Sequence, residues 1–170
     1  MSPEVWMRGA IEGIAPALQP IAHSLLQVRE ELLAAVPTLS DAELSATPNG
    51  AASIDFHVRH IAGSIDRLFS YARGELLSDE QLAFLADESV LTRRDANALT
   101  ITATNAIDRA LMEVREWSQR SDEIYEARAV GRKQLPSTVI GLLFHAAEHA
   151  QRHAAQIATT VKVVRGAAEN

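Results

Sequence analysis

Apolar residues return every three or four positions along four long stretches of this 170-residue chain, and nowhere do they alternate over a sustained run. A period near 3.6 puts such residues on one stripe of a helix, so the chain is constrained to pack helix against helix. The first stretch, between Pro20 and Pro37, carries Ile21, Leu25, Val28, Leu32 and Val36. The second starts at a Ser53 cap and ends near Tyr71 or Ala72, ahead of Gly74, with Ile54, Val58, Ile61, Ile65, Leu68 and Ala72 as its stripe. The third spans Arg94 to Ser118 with Leu99, Ile107, Leu111 and Val114. The fourth opens at Pro136-Ser137 and runs to Gly166 with Val139, Leu142, Leu143, Ala146, Ala150, Ile157, Val161 and Val164. Four amphipathic helices and no convincing strand predict an all-α four-helix bundle.

The connections refine that expectation. Ser2-Pro3 reads as the start of a short leading helix that Gly13 and Pro16 interrupt. Ser40-Asp41-Ala42-Glu43-Leu44 reads as one helical turn, and Thr47-Pro48-Asn49-Gly50 as a loop. Between the second and third helices lie about twenty residues, long enough for a crossover between parallel neighbours. Leu76, Leu77, Leu82, Phe84 and Leu85 anchor this crossover, and Ser78-Asp79-Glu80-Gln81 resembles a capping box, so part of it is expected to be helical. Residues 119–134 read as a charged loop. No repeat, low-complexity block or linker divides the chain, which predicts one domain over residues 1–170.

Composition removes several function classes. The 16 Lys and Arg are interleaved with 22 Asp and Glu for a net charge of -6, so no basic stripe exists to neutralise a phosphate backbone, and nucleic acid is not an expected partner. With no cysteine, disulfides, thiolate zinc sites and a cysteine nucleophile are excluded, and any thiol chemistry needs an external thiol. No stretch approaches the roughly 20 apolar residues of a membrane span, and the N-terminal residues lack a basic segment followed by an apolar run. A cytoplasmic location without membrane association is the expectation.

The chemical signal is the placement of the histidines. Of six, His57 and His60 fall on the second helix and His145, His149 and His153 on the fourth, with His23 elsewhere. Steps of four residues advance about 40° round a helix, so the last three form one inclined stripe with Gln156 beside it. That stripe borders the apolar face of the fourth helix, as His57, His60 and Ser64 border that of the second. Side-by-side packing brings the imidazoles together at the bundle edge, where one divalent ion can bind and still meet solvent. Isolated HxxxH pairs are usually surface or satisfied core residues. Several uncoordinated histidines crowded together would carry desolvation and mutual repulsion on protonation, which a shared ion removes.

Two familiar metal motifs fail. His145 to His149 matches HxxEH, in which the glutamate acts as a base, but the only acidic residue after His149 is Glu169, too near the end to serve as the distant ligand. HExxH is absent, as are the Glu-x-x-His pairs of carboxylate-bridged di-metal bundles.

Residues 53–75, SIDFHVRHIAGSIDRLFSYARGE, followed by residues 142–157, LLFHAAEHAQRHAAQI, resemble the DinB/YfiT-like superfamily of metal-binding four-helix bundles. The likeness extends over nearly the whole chain, through the TPNG turn, the long connection after the second helix and the LPSTVIGLL opening of the fourth. The resemblance implies a divalent ion, commonly zinc or nickel, held by one histidine of the second helix and an HxxxH pair of the fourth. Carried over on the HxxQI ending, these are His60, His149 and His153. His57, His145, Gln156 and Ser64 are then expected behind the ligands or facing substrate, with His57 as ligand, or a pair at His145 and His149, left open. The resemblance further implies a metal-dependent S-transferase using a low-molecular-weight thiol and a small-molecule substrate. A metal-dependent hydrolase and a metal-binding or interaction module without turnover are the alternatives. It also implies a homodimer, for which Trp6, Met7 and Phe84 are candidate contacts.

Overall fold

The computed structural model describes residues 3–90 and 95–168, so the Ser2 cap and the Arg94 helix start lie outside the described residues. Four long helices form the body: α1 (Gln19–Ala35), α3 (Ile54–Ala72), α5 (Ala96–Gln119) and α6 (Val139–Ala168). Two short helices, α2 (Asp41–Ser45) and α4 (Asp79–Asp87), lie between them. The predicted leading helix is instead two 3-10 turns, Val5–Arg8 and Pro16–Leu18, separated at Gly9 and Gly13, both at positive φ.

Each boundary has a local cause. Ser53 accepts a hydrogen bond from the Phe56 N–H at 3.2 Å, and Asp55 lies in the first turn of α3, where the helix dipole favours a negative charge. Gly74, at φ 80°, takes the left-handed conformation that ends it. Capping boxes start α2 at Ser40 and α4 at Ser78. Asp95 caps α5 by accepting from the Ala98 N–H at 2.8 Å.

The long helices interlock through one apolar core that includes Leu25, Leu32, Ile61, Ile65, Ile107, Val114, Leu143 and Ile157. Burying a side chain of this size contributes about 1.5–3 kcal/mol. Contacts between helices fix their directions. Arg29 of α1 pairs with Asp108 of α5, and the Ser118 hydroxyl accepts from the Ala15 N–H, so α1 and α5 are antiparallel. Ala62 and Thr102 line one end of a cleft between α3 and α5, while Arg73 and Glu113 pair further along both, so these two are parallel. The crossover through α4 makes that parallel arrangement possible, as the connection length predicts. His57 opposite His153 and His60 opposite His149 make α3 and α6 antiparallel.

The segment before α6 also departs from expectation. Residues 127–138 form an antiparallel hairpin, β1 (Ala127–Val130) with β2 (Leu135–Thr138), where a charged loop and the helix opening at Pro136-Ser137 are predicted. The reason is capping. Thr138 accepts from the Gly141 N–H at 3.1 Å and so starts α6 at Val139, just past the predicted opening, while Arg128 Nε donates to the Ala72 carbonyl at 2.7 Å, closing the C-terminus of α3. Among the described residues no helix is long and apolar enough to cross a membrane.

Candidate metal centre

The antiparallel packing of α3 on α6 brings four imidazoles into one cluster. His60 Nε2 lies 2.9 Å from His149 Nε2, and His57 Nδ1 lies 2.8 Å from His153 Nδ1. Ring centroids of His60, His149 and His153 are 4.6–5.1 Å apart. One ligand-capable nitrogen from each of these three lies within 4.8 Å of the others, and each ring is half-buried. Imidazole nitrogens bind zinc at about 2.0–2.1 Å, so the cluster can close round one cation with small side-chain movements.

The surroundings of the three rings differ. Phe56 stacks on His60 at 5.3 Å and 14°, holding its plane. Behind it, Glu88 Oε2 accepts from His60 Nδ1 at 2.7 Å, and Glu88 Oε1 accepts from Arg67 Nη1 at 2.6 Å. Arg152, on the rim, donates to His149 Nδ1 at 3.1 Å and to Glu148 at 2.9 Å. An arginine only donates, so His149 then carries its proton on Nε2 and gives it to His60 Nε2. Ligation by His149 Nε2 requires Arg152 to leave that ring; its side chain is 60% exposed and is also paired with Glu148.

Crowding shifts the proton affinities. Burial, and then the neighbouring His60, push His149 down to about 4, and the same causes, joined by His149 and His57, push His153 down to about 3. His57 is lowered by burial and by His60. Burial works to raise Glu88, but its hydrogen bonds from His60 and Arg67 hold it below the usual carboxylate range. Near neutral pH His149 and His153 therefore present lone pairs, the state a cation needs.

The other predicted residues separate into near and far. His57, only 6% exposed, backs His153. His145 is exposed, pairs with Glu148 at 2.7 Å and lies 5.4 Å from His149 between ring centroids, at the outer margin. Among the described residues, no hydrogen bond joins Ser64 or Gln156 to the cluster. The buried Ser64 hydroxyl bonds back to the Ile61 carbonyl at 3.2 Å, the usual recourse of a serine inside a helix. Gln156 is exposed and makes no hydrogen bond to the cluster among the described residues; three positions past His153 is about 60° round the helix. Glu88 escapes the sequence reading because it lies on the crossover, 28 residues from His60 and among many carboxylates. Of the candidate dimer contacts, Trp6 and Met7 are exposed, whereas Phe84 packs on the core.

The profile of the DinB superfamily matches residues 24–157, which include α3, the crossover and the histidine stripe of α6. The chain belongs to the DinB superfamily. No curated protein matches it. For this DinB-superfamily chain, a histidine triad able to hold a metal ion accompanies the all-α fold.

Proposed function

We propose that this DinB-superfamily protein holds one divalent cation, zinc or nickel, on His60, His149 and His153, and presents it to a small molecule at the bundle edge. The observation that carries the reading is the convergence of three imidazoles from two helices, each half-buried, with their candidate ligand atoms within 4.8 Å of one another. Neutral imidazoles suit both metals. Three protein ligands leave a position for water or substrate, the composition of a catalytic site in preference to a closed structural one.

A bound ion would supply a Lewis-acidic position able to hold a thiol as its thiolate at neutral pH. The chain has no cysteine, so the sulfur must come from outside, and we propose a low-molecular-weight thiol as cosubstrate and S-transfer as the reaction. The residues around the triad suit this arrangement. Phe56 and His57 shield the inner side of the rings from water, while Arg152, Glu148 and His145 offer charged and polar groups at the open rim.

Metal analysis of protein purified without a histidine tag is expected to give about one ion per chain, falling sharply in His60→Ala, His149→Ala and His153→Ala. Unchanged content in all three variants would reject the assigned ligands. The loaded protein, offered glutathione, bacillithiol, mycothiol or coenzyme A with an alkyl-halide electrophile, is expected to form the thioether and release halide. Thioether formation that persists after chelation would reject the metal-dependent mechanism.

A further inference from the structure

We infer that Glu88 is the positioning residue of this centre, fixing through one hydrogen bond which nitrogen His60 offers to the cation. The inference rests on the triad reading above and goes beyond it, because Glu88 itself touches neither cation nor substrate.

The carboxylate is 3% exposed and uses both oxygens: Oε2 accepts from His60 Nδ1 at 2.7 Å and Oε1 from Arg67 Nη1 at 2.6 Å. Because the carboxylate can only accept, Nδ1 keeps its proton to donate, which leaves the Nε2 lone pair for the triad, on the side where His149 Nε2 lies 2.9 Å away. Without the carboxylate the ring can take either tautomer, and one of the two has no lone pair facing the other ligands. Carboxylates and carbonyls behind ligating histidines have this effect generally, fixing tautomer and ring orientation and raising the basicity of the ligand.

Several features of α3 serve to seat Glu88. The residue stands at the end of α4, and Arg59 holds that end by donating to the Glu88 carbonyl at 3.1 Å and pairing with Asp87. Gly63 makes room for the carboxylate. A Cβ there would overlap Glu88 Oε1 and lie 2.6 Å from Arg67 Nη1 and 2.8 Å from Phe84 Cε1. Glycine is a poor helix former, and its use in the middle of α3 is explained by this close approach. A buried ion pair alone would staple the crossover to α3 with one oxygen on Arg67. The second oxygen, on the ring of His60, adds a tie to the same helix and is the one that sets the tautomer of that ring.

Zinc affinity, read by competition with a chromophoric chelator, and the visible spectrum of the cobalt-loaded protein test this on the full chain. The variant Glu88→Gln leaves one of the two donors facing an amide N–H₂, so affinity is expected to fall about 10–100-fold, the range typical of outer partners, with shifted cobalt bands. The double variant Arg67→Met/Glu88→Gln removes the competing donor and lets the amide oxygen accept from His60. It is expected to recover part of the loss and to stay about tenfold below the unsubstituted chain. Unfolding of the metal-free proteins shows which variants fold, and should the single variant fail to fold, the double variant carries the test, having no buried cation left unpaired. Zinc affinities within twofold of the unsubstituted chain, with an unchanged cobalt spectrum, in every variant that folds would overturn the role of Glu88 while leaving the triad standing. An unsubstituted chain that takes up no zinc would overturn the triad, and the role of Glu88 with it.

Discussion

Helices α1 and α3 are alike in length and in apolar spacing, yet they bury different chemistry. The buried residues of α1 are Ile21, Ala22, Leu25, Val28 and Leu32, all apolar. In α3 the same kind of stripe is accompanied by buried Asp55, His57, Arg59, Ser64, Arg67 and Ser70. Burying charged and polar groups is unfavourable unless each is paired, and a helix that only needs to pack avoids it. The polar groups of α3 point to two neighbours: His57 and His60 meet α6, while Arg59 and Arg67 grip the end of α4. Both helices hold the fold together through the same core, and α3 also organises a site.

Substitutions in the histidine cluster that α3 forms with α6 and in the core stripe of α1 should therefore separate metal binding from stability. The largest effect is expected from His153→Ala, which should lower cation affinity by more than the roughly hundredfold that even outer partners cost, as read by chelator competition. The same variant should leave the thermal midpoint of the metal-free protein within a few degrees. Leu25→Ala should do the opposite, costing about 2–5 kcal/mol in denaturant unfolding because it opens a cavity in a fully buried position, with metal stoichiometry per folded chain intact.

Acid should distinguish the regions next. His149 and His153 titrate at about 4 and about 3 in the fold, against an ordinary value of 6.5. As pH falls through 6.5 the unfolded chain binds protons that the folded chain refuses, so the metal-free protein loses stability from there down to about pH 3–4; above 6.5 both states are neutral and the effect vanishes. Unfolding followed between pH 7.5 and 4.5 should show this slope, and His153→Ala should flatten it. The smallest effect belongs to the surface of the α1–α5 contact. Arg29→Ala removes a partly exposed ion pair with Asp108 and should cost no more than about 1 kcal/mol, with cation affinity unchanged.

The same contrast explains what could be read from the chain. A period of 3.6 residues is written directly into α1 and α3, and four-residue steps place His145, His149 and His153 on one side of α6. Antiparallel packing then does the rest, bringing His60 opposite His149. The hairpin was not legible because each strand is only four residues long and slightly buried: β1 alternates exposed with half-buried positions, but Leu135 of β2 is exposed and Pro136 stands inside a strand, so no apolar alternation stands out from the charged background. Glu88 was not legible for a different reason. Its partnership with His60 and Arg67 depends on how the crossover folds back over α3, and spacing along one helix carries no trace of it.

A cation shared between α3 and α6 carries imidazoles from both helices. X-ray absorption on the zinc-loaded, tag-free protein counts them directly. Three imidazole rings per zinc, with zinc–nitrogen distances of about 2.0–2.1 Å and a further light-atom ligand, is the expected result. A shell dominated by oxygen, or one imidazole per ion, would contradict it.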